Sequence, residues 1–249
     1  MNPQPDGAGP TLVFLHGGGV GPWMWAEQEA YFAREVTVLT PTLPGHDPQG
    51  RTTFSTHAQA AEAIAAEIGL PDRNRPVTII GLSLGGQTAL QLAASFPGRV
   101  ERLVVVSSLL SPWRGAAALG LLAAGSAPLS RSRRFAAAQA AQLGIPGNMF
   151  ENYYALSRSM SAQTLRYLIQ ANFSFSVPPE VLESPRPVLL MAGDQEKASL
   201  VRGMERYSAA FRNCTFQVHP GVGHGMPLTQ PARFNAALHE WLGLNRVGA

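Results

Sequence analysis

The chain has 249 residues, of which 45% are hydrophobic and only 14% charged; that balance excludes a disordered chain and suits one α/β domain with an excursion. A net charge of +3, with basic residues scattered except at Arg131, Arg133 and Arg134, argues against nucleic-acid binding. Lys197 is the only lysine and Cys214 the only cysteine, which excludes a G-x-x-x-x-G-K phosphate loop, an internal disulfide and a cysteine-based zinc site.

Residues Met1–Pro10 lack a charged start and an apolar run, so no signal peptide is read there. The most apolar stretch, Ala116–Ala124, is too short to span a bilayer. A cytoplasmic protein without membrane contact is the expectation.

Thr11–Leu15 reads as a buried strand feeding His16-Gly17-Gly18-Gly19, a glycine cluster whose backbone N–H groups can point into a site. Trp23 and Trp25 are expected to anchor this loop on the core. Tyr31–Glu35 closes a helix, Val36–Thr40 is the next strand, and Pro41–Gly50 is a turn-rich loop containing His46. Thr56–Ile68 is an amphipathic helix with Gly69 as its C-terminal cap.

Val77–Ile80 is a continuous β-branched run that enters Gly81-Leu82-Ser83-Leu84-Gly85-Gly86, and Gln87–Ser95 follows as a helix. Strand, G-x-S-x-G, helix is the context of a nucleophile elbow. There Ser83 stands exposed at the strand's carboxyl end; the plainer alternative is a serine that only caps the helix. The N–H of Leu84 and that of Gly18 are the expected oxyanion donors.

Val100–Ser107 gives another buried strand, after which the strand–helix rhythm breaks. From Leu109 to about Val177 only helices are predicted, near Trp113–Ala124, Arg131–Leu143, Met149–Arg158 and Ser161–Ala171. This block, residues 109–177, reads as a helical cap over a core made of residues 1–108 and 178–249. Trp113, Met149, Tyr153 and Tyr154 are its candidate substrate contacts, although most such side chains in a helical block only seal it. The alternation resumes with Pro187–Met191, a helix Ser199–Phe211, a strand Thr215–His219 and a helix Pro231–Leu242. The expected fold class is α/β, a mostly parallel sheet with helices on both faces.

Asp194 directly follows the strand Pro187–Met191 and is preferred as the acid over Glu196, its near competitor, because it lies closer to the strand end. His224, in the glycine-rich loop after the last strand, is preferred as the base over His219, which belongs to the strand itself.

Ser83, Asp194 and His224 stand in the nucleophile–acid–base order of the α/β-hydrolases, and the chain resembles that family from Thr11 to Leu242. The matching segments are LHGGG at 15–19, LPGH at 43–46, GLSLGG at 81–86, AGDQ at 192–195 and GVGH at 221–224. The resemblance implies a sheet of about eight strands with the second antiparallel and a cap after the sixth. Only ten residues precede Thr11, so the family's first two strands are expected to be absent or rudimentary; Thr229 stands where an acidic residue is often found. Serine at the elbow disfavours the dehalogenase and epoxide-hydrolase branches, and Gly225 weakens the likeness to C–C hydrolases. What remains is a serine hydrolase of a small or medium apolar carboxylic ester, working through an acyl-enzyme without metal or cofactor. A lyase of the hydroxynitrile-lyase type and a non-enzymatic ligand receptor are the alternatives on this fold. The oligomeric state is not legible.

Overall fold

Four largely buried aliphatic runs, with a shorter strand at one edge and a more polar, partly exposed one at the other, form a single sheet in the computed structural model, which describes residues 10–70 and 76–244. The amino-terminal stretch read as free of a signal peptide lies almost wholly outside the described residues, as do Asp6 and Asp72. The strands are β1 (Thr11–Leu15), β2 (Thr37–Leu39), β3 (Val77–Leu82), β4 (Val100–Val106), β5 (Val188–Gly193) and β6 (Cys214–His219). Their order is β2-β1-β3-β4-β5-β6 and every neighbouring pair is parallel. Six strands therefore replace the eight that the resemblance implies, and no antiparallel strand occurs among the described residues. The two edges of the sheet are β2 and β6.

Alternate residues sort onto two packed layers, which is why the runs read as uniformly apolar. Val13, Leu15, Ile79, Val105 and Leu190 face α2 (His57–Glu67), α3 (Leu84–Ser95) and α9 (Ala198–Ser208). Phe14, Ile80, Val104, Val106 and Met191 face Trp25, Phe32 of α1 (Ala26–Phe32), and Phe234 and Leu238 of α11 (Pro231–Leu242). Because all six strands run the same way, Leu15, Leu82, Gly193 and His219 end along one edge. A site built from loops can form only there.

Between β4 and β5 the chain leaves the sheet for α4 (Ala116–Ser126), α5 (Arg133–Leu143), α6 (Phe150–Ser159) and α7 (Ala162–Ser174). The short α8 (Pro179–Leu182) leads back to β5, and α10 (Met226–Thr229) precedes α11. Ser132 and Ser161 begin α5 and α7 as side-chain caps; Ser161 Oγ accepts from Thr164 N at 3.0 Å. Each such cap stabilises its helix by about 1 kcal/mol. The two ends of this insert are tied together and to the core. The buried amide of Gln87 on α3 donates from Nε2 to Leu109 O at 2.8 Å and to Asn172 O at 2.9 Å. Trp113 N donates to Phe173 O at 2.7 Å.

The tightest backbone approach lies where α3 meets β1. A Cβ on Gly85 would collide with the carbonyls of Leu15 and His16, which are backbone and cannot swing aside. Gly85→Ala should therefore cost about 3 kcal/mol or more of unfolding free energy. Gly98→Ala, whose new Cβ would meet nothing within 4 Å, should stay within about 0.5 kcal/mol of the parent. Urea unfolding of both variants tests this, and equal losses would show that the α3–β1 approach is not tight.

Candidate active site

Ser83 joins β3 to α3 with φ 54° and ψ −115°, a left-handed backbone on a non-glycine residue. That conformation costs on the order of 1–3 kcal/mol and persists only where the surroundings hold it. Here Ser83 N donates to Val106 O at 2.8 Å, and Ser83 O accepts from Ser108 Oγ at 2.9 Å. A Cβ at Gly81 would overlap the Gly85 backbone, and one at Gly86 would overlap Ser108 Oγ. The glycines of the motif thus let the chain cross itself at the turn. Ser108, two residues past the end of β4, braces the turn, and no sequence motif marks it.

Gly18 faces this turn: a Cβ there would lie 3.7 Å from Leu84 Cβ and 2.9 Å from Leu168 Cδ2 of α7. Among the described residues, no protein acceptor meets the N–H of Gly18 or of Leu84. The neighbouring donor is taken, since Gly19 N donates to His46 Nε2 at 3.1 Å. Leu43 N likewise donates to His16 Nε2 at 3.0 Å. The opposite ring nitrogens, His46 Nδ1 and His16 Nδ1, lie 3.0 and 2.9 Å from the carbonyls of Pro44 and Gly17. Each imidazole therefore donates from Nδ1 and accepts at Nε2, which only a neutral ring can do. Burial enforces this: it lowers His46 to about 4, and it lowers His16 well below the ordinary value, assisted by His46.

On the other side of Ser83's edge, His224 Nδ1 lies 3.1 Å from Glu196 Oε2. The expectation that Asp194 would hold this position is corrected by the geometry. Asp194 is exposed, and its Oδ1 accepts from Gly221 N at 2.8 Å. Asp194 N donates to His219 O at 3.1 Å and Gln195 N to Val222 O at 2.9 Å, so residues 194–195 are bonded to the histidine loop along its length. A Cβ on Gly193 would overlap Val222 O, which shows how closely the two loops cross. With Asp194 spent on the loop's backbone, the turn carries Glu196 beneath the imidazole, where its side chain is only 5% exposed. A Glu also reaches one methylene further than an Asp, enough to make the contact from two residues later in the turn. His219 stays in β6, as read from the sequence, and its carbonyl accepts from Asp194 N.

A cavity of about 210 Å³ runs from Gly18 and Gly19 into the insert, between Phe135, Leu143, Tyr153, Leu165 and Leu168. Ser83 and His224 are not in its walls; of the expected site residues, Gly18 and Tyr153 are. Of the four expected substrate contacts only Tyr153 lines it. Trp113 is 56% exposed and packs edge-on against Phe173. Met149, at the start of α6, is partly buried and packs against the core layer that includes Tyr153. Tyr154 stacks on Phe150 and borders a separate open groove with Arg131 and Arg158. Periodicity identified these side chains as large and apolar but carried no information on which way each would point.

Burial of neutral imidazoles has a measurable consequence. His46 and the buried His57, whose Nδ1 pairs with Thr88 Oγ1 at 3.1 Å, are both lowered from 6.5 to about 4 by desolvation. Their folded values lie below the unfolded one, so the stability they contribute is complete above pH 6.5 and is lost as pH falls towards 4. Unfolding free energy should decline across that window by up to roughly 3 kcal/mol per histidine. His46→Gln, which keeps an acceptor without a titrating ring, should remove its share of the decline. Urea titrations at pH 7, 5.5 and 4 measure this, and a flat profile would mean that the rings are not held neutral.

The sequence profile of the alpha/beta hydrolase family matches residues 12–237. A pimeloyl-[acyl-carrier protein] methyl ester esterase from Aromatoleum aromaticum is 37% identical over 101 residues, which is 40% of this chain and 37% of that protein. The chain thus spans less than half the length of most of the curated relatives it matches. A protein of the same name from Nitrosospira multiformis aligns over 92% of this chain and 93% of its own length at 25% identity. Among solved structures, a thermophilic esterase from Thermogutta terrifontis superposes with a TM-score of 0.80 at 21% identity, covering 95% of this chain and 90% of that one. The enol-lactonase from Burkholderia xenovorans LB400 gives 0.80 at 18% identity, covering 95% and 92%; likenesses this remote show the fold. By the profile that spans nearly all its described residues, the chain belongs to the alpha/beta hydrolase family.

Proposed function

We propose that the protein is a serine hydrolase of small or medium, largely apolar carboxylic esters, acting through an acyl-enzyme on Ser83. The observation that carries the reading is the His224–Glu196 pair at the sheet edge that also holds the strained Ser83. The carboxylate of Glu196 accepts the Nδ1 proton of His224, which leaves the Nε2 lone pair free as a base. His224 takes the Ser83 proton as Oγ attacks the ester carbonyl; the N–H groups of Leu84 and Gly18 receive the developing oxyanion. The alcohol leaves with the proton from His224, and water, deprotonated by the same ring, then releases the acid. Asp194 acts one step back, holding the loop that presents His224. The insert, residues 109–177, serves as a cap, and the cavity beside Gly18 receives the acyl chain. Relatives named as methyl ester esterases support the reaction class.

Ser83→Ala should abolish hydrolysis of p-nitrophenyl butyrate while the protein stays folded. Glu196→Gln should lower kcat by up to about four orders of magnitude, by favouring the wrong imidazole tautomer. Asp194→Asn should cost no more than several-fold, and the reverse ranking of these two would return Asp194 to the acid's role. Labelling of Ser83 by a fluorophosphonate without turnover of any ester would point instead to lyase chemistry.

The acyl reading has its own test. From acetate to hexanoate, kcat/KM should rise about fourfold per CH₂, the equivalent of roughly 0.8 kcal/mol. Leu165→Ala should flatten that rise and leave acetate within about twofold. An unchanged profile would place the acyl chain outside this cavity.

A further inference from the structure

Four of the large hydrophobic side chains that the described residues leave exposed fall between positions 113 and 129: Trp113 at 56%, Leu121 at 55%, Leu122 at 72% and Leu129 at 52%. Leu121 and Leu122 lie on α4, Trp113 precedes it and Leu129 follows it, and the helix, AAALGLLAAGS, contains no charged residue on any face. Ala116 and Gly120 give α4 its inward side; a Cβ on Gly120 would lie 2.8 Å from Arg166 O of α7. The opposite side, including Ala117, Ala118, Leu121 and Leu122, is bare. An exposed helix of a globular protein ordinarily turns charged or polar residues to water, so a helix without them has another neighbour.

Charge identifies that neighbour. The insert from 109 to 177 carries six arginines and one acidic residue, Glu151, which is paired with Arg133. Arg114 precedes the helix and Arg131 and Arg134 follow it, all exposed. An exposed apolar helix flanked in sequence by Trp113 and by arginines on both sides suits a lipid–water interface of negative charge, where leucines would enter the acyl region and guanidinium groups would meet headgroup phosphates. A second copy of the chain fits poorly. A two-fold contact through α4 would press an arginine-rimmed face against itself, with one carboxylate in the insert and that one already engaged.

We propose that α4 and its flanking arginines seat the protein on an anionic lipid surface, peripherally and reversibly. No helix among the described residues is long and apolar enough to cross a membrane. The expectation of no membrane contact rests on the lack of a signal-peptide pattern and of a spanning apolar run, and a helix lying in the interface needs neither.

The test is cosedimentation of the full chain with vesicles of phosphatidylcholine alone and of phosphatidylcholine with 30% phosphatidylglycerol. Binding should require the anionic lipid and weaken as salt rises. Leu121→Ser with Leu122→Ser should reduce it at least tenfold, and Arg131→Gln with Arg134→Gln by a comparable factor. Both substituted pairs are exposed, so circular dichroism and unaltered unfolding midpoints should confirm an intact fold. The proposal is overturned by absence of binding to either vesicle, by equal binding to both, or by leucine substitutions that abolish a dimer in sedimentation equilibrium and leave vesicle binding unchanged.

Discussion

A serine held at φ 54° needs neighbours that cannot yield, and the arrangement around Ser83 follows from supplying them. The strand before it is locked into the sheet centre, with β1 on one side and β4 on the other. The helix after it starts without a side chain at Gly85 and Gly86, so its first turn lies directly on the carbonyls that end β1. That approach sets the separation between the Leu84 N–H and the Gly18 loop. Neither donor has been placed by a side-chain interaction of its own. The Leu84 N–H is set by the backbone contact of Gly85 on β1, and the Gly18 loop is held as well by His46, which accepts the neighbouring Gly19 N–H.

A second crossing, between the ends of β5 and β6, governs the histidine. Gly193 lies under Val222 O, and Asp194 receives the N–H of Gly221. Proximity to the strand end favours Asp194 over Glu196 in the sequence, and that criterion misleads for a physical reason. The residue nearest the strand end is also nearest the backbone of the adjoining loop, whose unpaired N–H groups demand an acceptor. Asp194 answers that demand, and the imidazole takes the next carboxylate. The contacts that decide the matter join residues 27 and 28 positions apart, beyond the reach of any local pattern.

Where the pattern is local, the sequence was readable. The strand Thr11–Leu15, the strand read as Val77–Ile80, which the structure extends to Leu82, and the helix Pro231–Leu242 follow from aliphatic runs, caps and prolines. So do the four helices of the insert, each bounded by Gly, Pro or Ser. Ser83 was legible because its strand–turn–helix setting is contiguous. Tyr153 was not distinguishable from Trp113 or Met149, since burial against one layer or another depends on how helices cross. The exposed side of α4 escaped for a different reason: a helix apolar on every face has no periodicity from which an orientation can be read.

Burial divides the histidines of the site by role. His16 and His46 are enclosed and accept backbone N–H groups at Nε2, and desolvation keeps them uncharged. A proton on either would break the bond that holds Leu43 or Gly19 and would place a cation beside the glycine loop. His224 differs in each respect. About a third of its side chain meets solvent, its Nδ1 faces a carboxylate, and its Nε2 is committed to no protein acceptor or donor among the described residues. Three imidazoles near one sheet edge thus do two kinds of work. Two are fixed as neutral acceptors of the Gly19 and Leu43 N–H groups, whereas His224 faces Glu196 with Nδ1 and keeps Nε2 uncommitted to any protein group among the described residues.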